Sequence, residues 1–238
     1  MEGNKTFRTR LVFEGLVIVV SILIAFGLDT WWDDVKERRE EHQTLLALQQ
    51  EFISARDNVI FYQSLNQRVL NSTALIVEAL DQALESGELM TIIPDSALAI
   101  TLIPPTTSVN LGTLSGLISS GRLGIIQNLD LRGQLGSWGV TLEELGEEEI
   151  ASRRLVNEEL FQALSAKINI HGIWDQVNAL IGMSPGQVDP PSSINLPVDK
   201  ELMGLYELRW NILRHTRIEF GHLLVSIDAI IQELEKTL

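Results

Sequence analysis

An apolar segment of eighteen residues lies near the N-terminus of this chain. It has the sequence LVFEGLVIVVSILIAFGL, residues 11–28, and only Glu14, Ser21 and two glycines interrupt it. At 1.5 Å per residue, a helix of this length nearly crosses the hydrocarbon core of a bilayer, which is about 30 Å thick. Trp31 and Trp32 follow, and tryptophan is typical of the membrane interface. The segment therefore predicts a transmembrane helix, so that the rest of the chain must fold on one side of a membrane.

A cleaved signal peptide and a buried helix of a soluble domain are the alternatives to this span. A signal peptide also begins with basic residues, but its apolar part has about 7 to 15 residues and ends at small residues that are cleaved. Ala25-Phe26-Gly27 is a poor match to such a site. The length of the segment and the tryptophans that follow it favour an uncleaved, single-pass span.

The basic residues on the two sides of the span predict its orientation. Three precede the span and three follow it: Lys5, Arg8 and Arg10, then Lys36, Arg38 and Arg39. Asp29, Asp33 and Asp34 separate the second group from the membrane, so the positive-inside rule favours an N-terminus in the cytoplasm. In a bacterium, residues 1–32 are then an inner-membrane anchor and residues 33–238 form a periplasmic helical domain.

Five residues in or beside the span are predicted contacts with the membrane or with partner subunits. Glu14 lies one turn inside the span, where a carboxylate reaches the headgroups or bonds to a partner helix. Gly15 and Gly27 allow another helix to approach closely, and Trp31 and Trp32 mark the interface. The span has no histidine, so we expect it to ligate no haem or chlorophyll-type pigment.

The chain from residue 28 to residue 86 has no glycine or proline and has the spacing of one long helix. Steps of three and four residues define a seam along it: Leu45, Leu48, Phe52, Ala55, Val59, Tyr62, Asn66, Val69, Thr73, Ile76, Leu80 and Ala83. A similar seam follows the predicted N-cap Asp199: Tyr206, Trp210, Leu213, Arg217, Phe220, Leu224, Ile227, Ile231, Leu234 and Leu238. Because pairing within one chain avoids the entropy cost of recruiting a second chain, we expect an antiparallel bundle, with Asn66 fixing its register.

Shorter helices are predicted between these two. One runs from Asp95 to Ile100, a second is capped by Asn110 and stopped by Gly121, and a third is capped by Asp130. Residues 151–181 continue helically, and a loop over residues 183–197 precedes the last helix. No alternating pattern longer than four residues indicates a strand. The predicted class is therefore all-α.

Composition excludes several functions. The chain has 18 Lys plus Arg against 32 Asp plus Glu, a net charge of −14, and such a surface repels nucleic-acid backbones. It has no cysteine, which excludes disulfides, thiolate catalysis and cysteine-held metal centres. The glutamates at residues 143–149 are expected to form a solvated helix face.

His215, Glu219 and His222 form the best metal-like pattern, because their spacing places them on one helix face. A di-iron bundle needs a second Glu-x-x-His unit and two more glutamates, and zinc needs a further ligand. The sequence supplies neither, and it has no paired nucleophile and base. Residues 116–123 have the glycine spacing of a phosphate loop but lack its lysine and the preceding strand. We therefore predict no enzyme activity, no cofactor and no metal site.

Two blocks of the sequence resemble a known group of proteins. FEGLVIVVSILIAFGLDTWWDDVKERREEHQTLLALQQEF, residues 13–52, and SGLISSGRLGIIQNLDLRGQLGSW, residues 115–138, are similar to uncharacterised bacterial single-pass membrane proteins of the domain of unknown function 6090 group. The resemblance implies a membrane-anchored helical domain. It brings no established activity and no functional residues.

These patterns predict a non-catalytic, membrane-anchored scaffold or accessory subunit whose partners are the lipid bilayer and other membrane-protein subunits. As host we name a bacterial energy-transducing complex, such as a photosynthetic reaction centre with its antenna, although no residue contributes to that choice. The alternative is a periplasmic sensor or ligand-binding domain, in which the loop over residues 183–197 closes on a helical pocket.

Overall fold

The computed structural model describes residues 3–107, 109–180 and 192–238, except for the side chains of residues 3–15, 17, 179 and 180. Most of this chain is helical, and a two-stranded sheet is the other regular element. In chain order the elements are α1 (Gly3–Ser86), β1 (Met90–Pro94), α2 (Asp95–Thr101), α3 (Gly112–Ser119), α4 (Leu129–Arg154), a π-helical segment (Leu155–Leu160), α5 (Phe161–Ser165), α6 (His171–Leu180), β2 (Ser193–Pro197) and α7 (Lys200–Thr237). The predicted all-α class is confirmed, apart from the small sheet.

Helices α1 and α7 form the centre of a bundle and run antiparallel. The Asn66 side chain donates a hydrogen bond of 3.1 Å to the carbonyl oxygen of Leu213. Nearer to the N-terminal part of α1, a guanidinium nitrogen of Arg56 lies 3.7 Å from a carboxylate oxygen of Asp228 of α7. Asn66 is fully buried, so this hydrogen bond holds the register of the two helices in the core. Helix α4 packs on α7 beside them.

The predicted α1 seam is correct at every position except Tyr62, which is half-buried. The predicted α7 seam is correct at Tyr206, Leu213, Phe220, Ile227, Ile231 and Leu234, whereas Trp210 and Leu224 are only half-buried. The buried residues are Leu202, Tyr206, Arg209, Leu213, Thr216, Phe220, Leu223, Ile227, Ile230, Ile231 and Leu234. Arg217 and Leu238, which were predicted to be seam residues, are exposed. Arg209 and Thr216 occupy seam positions because their polar groups find partners inside the bundle.

Two hydrophobic clusters lie one after the other along the α1 and α7 pair. The proximal cluster, nearer to the N-terminal part of α1, joins α1 residues 45–59 to α3, to α4 and to α7 residues 220–234. The distal cluster joins α1 residues 69–80 to α2, the sheet, α5, α6 and α7 residues 202–213. The same two long helices therefore stabilise both halves of the core.

The two strands correct the expectation of a chain without sheet. β1 pairs antiparallel with β2, Met90 opposite Pro197 and Pro94 opposite Ser193. Each strand has five residues and only one fully buried side chain, Ile93 or Leu196, so neither has a usable alternating pattern. The predicted loop over residues 183–197 is thus partly strand, and its residues 183–191 lie outside the described part of the chain.

Two glycines end helices where the backbone turns into the left-handed region. Gly87 has a φ of 75°, and Gly121 has a φ of 69°. The following amides, of Glu88 and Arg122, then bond back to carbonyls of the last helical turn at 2.9 Å. Gly121 therefore stops α3, as predicted.

Candidate functional site

The predicted contact residues lie on the N-terminal part of α1, before this helix reaches the bundle. Every large apolar side chain described from Leu16 to Trp32 is exposed, each by 45% to 66% of its surface. Among the side chains that are described, the first buried one along α1 is Leu45. The segment over residues 16–32, which we call the apolar arm, is therefore a helix whose apolar side chains have little contact with the rest of the chain.

The individual predicted residues have different outcomes. Trp31 and Trp32 are exposed by 59% and 63%, and a Cβ atom added to Gly27 would meet no described residue beyond its own helical turn within 4 Å. Glu14 and Gly15 lie in the α1 backbone, but their side-chain surroundings are outside the description. Helix α1 continues without a break through the boundary predicted at residues 32 and 33.

Over the described residues, no helix has a stretch that is both long and apolar enough to cross a membrane. The predicted span over residues 11–28 includes residues 11–15 and 17, whose side chains are not among those described.

A loop closes on α1 at the point where the apolar arm enters the bundle. We call residues 121–128 the collar. Arg122 forms an ion pair with Glu40, and the backbone amide of Gln127 donates to Glu41 at 2.7 Å. The side-chain amide of Asn128 donates to the carboxylate of Glu233 at 2.9 Å, near the C-terminal end of α7. The collar therefore ties the root of the arm to α7 at the end of the helix pair where the arm enters the bundle.

Long-range contacts also correct two predicted helix caps. Asn128 caps α4 in place of Asp130, because its side chain accepts hydrogen bonds from the amides of Asp130 and Leu131. The start of α3 is bonded to Glu51 of α1, not to Asn110, since Thr113 donates both its amide and its hydroxyl to that carboxylate at 2.8 Å. Beside these contacts, the rings of Phe52 and Trp138 pack edge to face with centroids 5.1 Å apart.

A second notable region is the irregular segment after α2. We call residues 102–107 the strap, and two buried charged side chains hold it from opposite helices. Arg209 of α7 donates to the Ile103 carbonyl oxygen at 2.8 Å. Glu149 of α4 accepts from the Thr107 amide at 2.6 Å and from the Thr107 hydroxyl at 2.8 Å. The strap is therefore fixed at both ends.

Arg209 is fully buried without a counter-ion among the described residues. Its guanidinium also donates to the hydroxyl and carbonyl oxygens of Ser152, and its Nε atom has no partner there. Burial lowers the pKa of Arg209 to about 9, so the group stays charged at neutral pH. Burying a charge that is held only by neutral acceptors costs free energy. What this charge does in the bundle is to hold Ser152 of α4 and Ile103 of the strap against α7.

Glu149 departs from the expectation that the glutamates at residues 143–149 are solvated. It is 7% exposed, and burial raises the pKa of its carboxyl, although the hydrogen bonds from Thr107 and the charge of Arg153 oppose that shift. A signal for this burial is present in the sequence, because the α4 seam Leu131, Leu135, Trp138, Leu142, Leu145, Glu149 and Ser152 steps by four and three.

The predicted polar stripe of α7 lies on an exposed face. His215 and His222 are exposed, and the His222 Nδ1 atom is 3.4 Å from a carboxylate oxygen of Glu219. No group of three metal-ligating side chains close enough to hold an ion occurs within the described ranges.

Comparison with protein-family models, with curated proteins and with solved structures finds no match to this chain. The resemblance to the single-pass membrane group therefore stays a prediction.

Proposed function

We propose that this protein is a non-catalytic accessory subunit or scaffold, anchored in a bacterial inner membrane by the N-terminal part of α1. The apolar arm is the observation that carries this proposal. It continues the apolar sequence that starts at residue 11, and its exposed side chains would each gain about 1.5 to 3 kcal/mol by full burial. Lipid supplies that burial all around a single helix.

The continuity of α1 supports the role of a scaffold. One helix includes both the apolar arm and the central helix of the bundle, and the collar holds it where the two meet. A rigid link of this kind sets the distance and direction of the bundle relative to the membrane. Other membrane subunits then meet a fixed surface, with the N-terminus in the cytoplasm and the bundle in the periplasm.

We expect that Val20→Arg combined with Ile24→Arg abolishes membrane anchoring. Both side chains are exposed on the apolar arm, and an arginine near the middle of a span costs about 2.5 to 3.5 kcal/mol. The measurement is the fraction of protein in carbonate-washed membranes. Wild type should stay in the pellet, and the double variant should be lost from it.

A matched control places the same charges on α1 inside the bundle, as Leu75→Arg with Leu84→Arg, at positions that are 43% and 41% exposed. This control should remain with the membranes. Release of the wild type by carbonate would contradict the anchor. Protease added to intact spheroplasts should digest the bundle, whereas full protection would reverse the proposed orientation.

We expect Gly27→Leu to loosen the host complex without destabilising the bundle. A Cβ atom at this position would meet nothing within 4 Å among the described residues beyond its own helical turn, so the bundle itself should not be strained. Small residues are what allow membrane helices to approach closely. The measurement is co-purification of partner subunits in mild detergent, with bacterial energy-transducing complexes as the host class that we name.

The counterpart variant replaces His215, Glu219 and His222 together with alanine. His215 and His222 are exposed and Glu219 is half-buried, so assembly and any associated activity should be unchanged. Loss of activity with intact assembly would show that the stripe carries chemistry and that the scaffold proposal is wrong.

A further inference from the structure

A cavity of about 410 Å³ lies between α1 and the strap. Its apolar walls are Phe61, Tyr62 and Leu65 from α1 and Ile103 and Pro104 from the strap. The volume is in the range of ligand pockets in proteins, about 300 to 1,000 Å³. The cavity is thus large enough for a small organic molecule and offers it an aromatic wall.

Arg68 is the one charged residue among those that line this cavity. Arg68 lines it, together with the hydroxyl-bearing residues Tyr62, Ser64 and Thr106, and no acidic residue does. Arg68, Thr106 and the Tyr62 hydroxyl make no hydrogen bond or ion pair within the described ranges. In a chain with a net charge of −14, a cavity that offers a free guanidinium and no acid is complementary to an anion.

The wall of the cavity is held in place by the two buried charges. Ile103 bonds to Arg209 through its carbonyl oxygen, and Thr107 bonds to Glu149 just beyond the lining residue Thr106. A binding wall fixed before the ligand arrives costs less free energy to order. This arrangement gives the costly burial of Arg209 and Glu149 a purpose that packing alone does not provide.

We propose that this cavity binds a small organic carboxylate with an aromatic or branched apolar body. The carboxylate pairs with Arg68, the body packs on Phe61 and Tyr62, and the Thr106 hydroxyl donates to the second carboxylate oxygen. An uncharged ligand would gain no ion pair with the guanidinium, and an inorganic anion would leave the apolar walls uncovered. The proposal does not depend on the membrane anchor, and it gives the alternative sensor function a site.

The test titrates the full chain, in mild detergent, with phenylacetate, hexanoate and the neutral amide phenylacetamide. Binding is followed by calorimetry and by the methyl NMR signals of labelled isoleucines. For ligands of this size we expect the better of the two acids to have a dissociation constant on the order of 1 mM or below. The signals of Ile100 and Ile103, which line the cavity, should shift, while Ile227 and Ile230 of the proximal cluster should not.

Two variants of equal charge change separate this site from general attraction to acids. Arg68→Gln removes an exposed guanidinium without a described partner, so the fold should be kept and binding should weaken at least tenfold. Arg39→Gln removes an exposed arginine of the same helix far from the cavity and should leave binding unchanged. Both variants experience the same partition of the acid into detergent.

Saturable binding that Arg68→Gln weakens and Arg39→Gln does not would support the proposal. The absence of saturable binding by both acids would overturn it. Binding of phenylacetamide as tight as that of phenylacetate, or equal binding to the Arg68→Gln variant, would also overturn it, because the carboxylate would then not be recognised.

Discussion

Arg209→Ala is expected to lower the free energy of unfolding by about 3 to 5 kcal/mol, a large part of the stability of a typical domain. The side chain is fully buried, so its removal leaves a void between α7, α4 and the strap. It also leaves the Ser152 hydroxyl and the Ile103 carbonyl oxygen without their donor, and an unsatisfied buried group costs about 1 to 3 kcal/mol. Relief of the buried charge offsets part of this loss. Thermal and urea unfolding followed by circular dichroism measures the net effect.

Arg209→Met separates packing from positioning. Methionine fills most of the space without a charge, and replacing a poorly compensated buried charge by an apolar side chain is often close to neutral. We therefore expect a loss of less than about 2 kcal/mol, but the Ile103 carbonyl loses its donor and the strap is no longer held. Stability should largely survive in this variant, while binding of a carboxylate in the cavity should weaken.

Arg217→Ala is the control, because Arg217 is exposed on the same helix and should change stability by no more than about 0.5 kcal/mol. An Arg209→Ala protein as stable as this control would contradict the role of the buried guanidinium. An Arg209→Met protein that unfolds as easily as Arg209→Ala would show that the charge itself holds the bundle together.

The same position shows how far the sequence predicts this fold. Starting from Tyr206, a buried seam can step first by four residues and then by three, or first by three and then by four. Both versions meet every seventh residue, which is why Tyr206, Leu213, Phe220 and Leu234 were predicted correctly. The two versions differ at the positions in between, for example Trp210 or Arg209. The prediction chose the more apolar residue, which is Trp210. Only the partners of Arg209, distant in sequence, show that a charged residue belongs in the seam.

The remaining differences have the same physical cause. Glu51 satisfies the start of α3 from 62 residues away, and β1 pairs with a strand about one hundred residues later. Local spacing contains no information about such partners. The α1 seam, the helix stop at Gly121 and the cap at Asp199 were predictable because their partners are local or their pattern is long. The cavity could not be predicted, because its walls come from α1 and the strap.

Phe52→Ala is expected to cost about 3 to 5 kcal/mol through the void that it leaves in the proximal cluster. Phe52 is fully buried and packs edge to face on Trp138, which is 4% exposed. Phe61→Ala is the matched control on the same helix. Phe61 is 61% exposed, so its loss should cost less than about 1 kcal/mol. Urea unfolding of both variants gives the comparison.

The course of that unfolding tests whether the bundle can act as a rigid scaffold. Helices α1 and α7 pass through both clusters, so the signals of Ile126 and Ile227 in the proximal cluster and of Ile93 and Ile173 in the distal cluster should disappear at the same urea concentration. If the proximal signals of Phe52→Ala are lost first while the distal ones persist, the two clusters are separate folding units. The collar would then release the apolar arm while the cavity remained folded, and the bundle could not hold a fixed direction from the membrane.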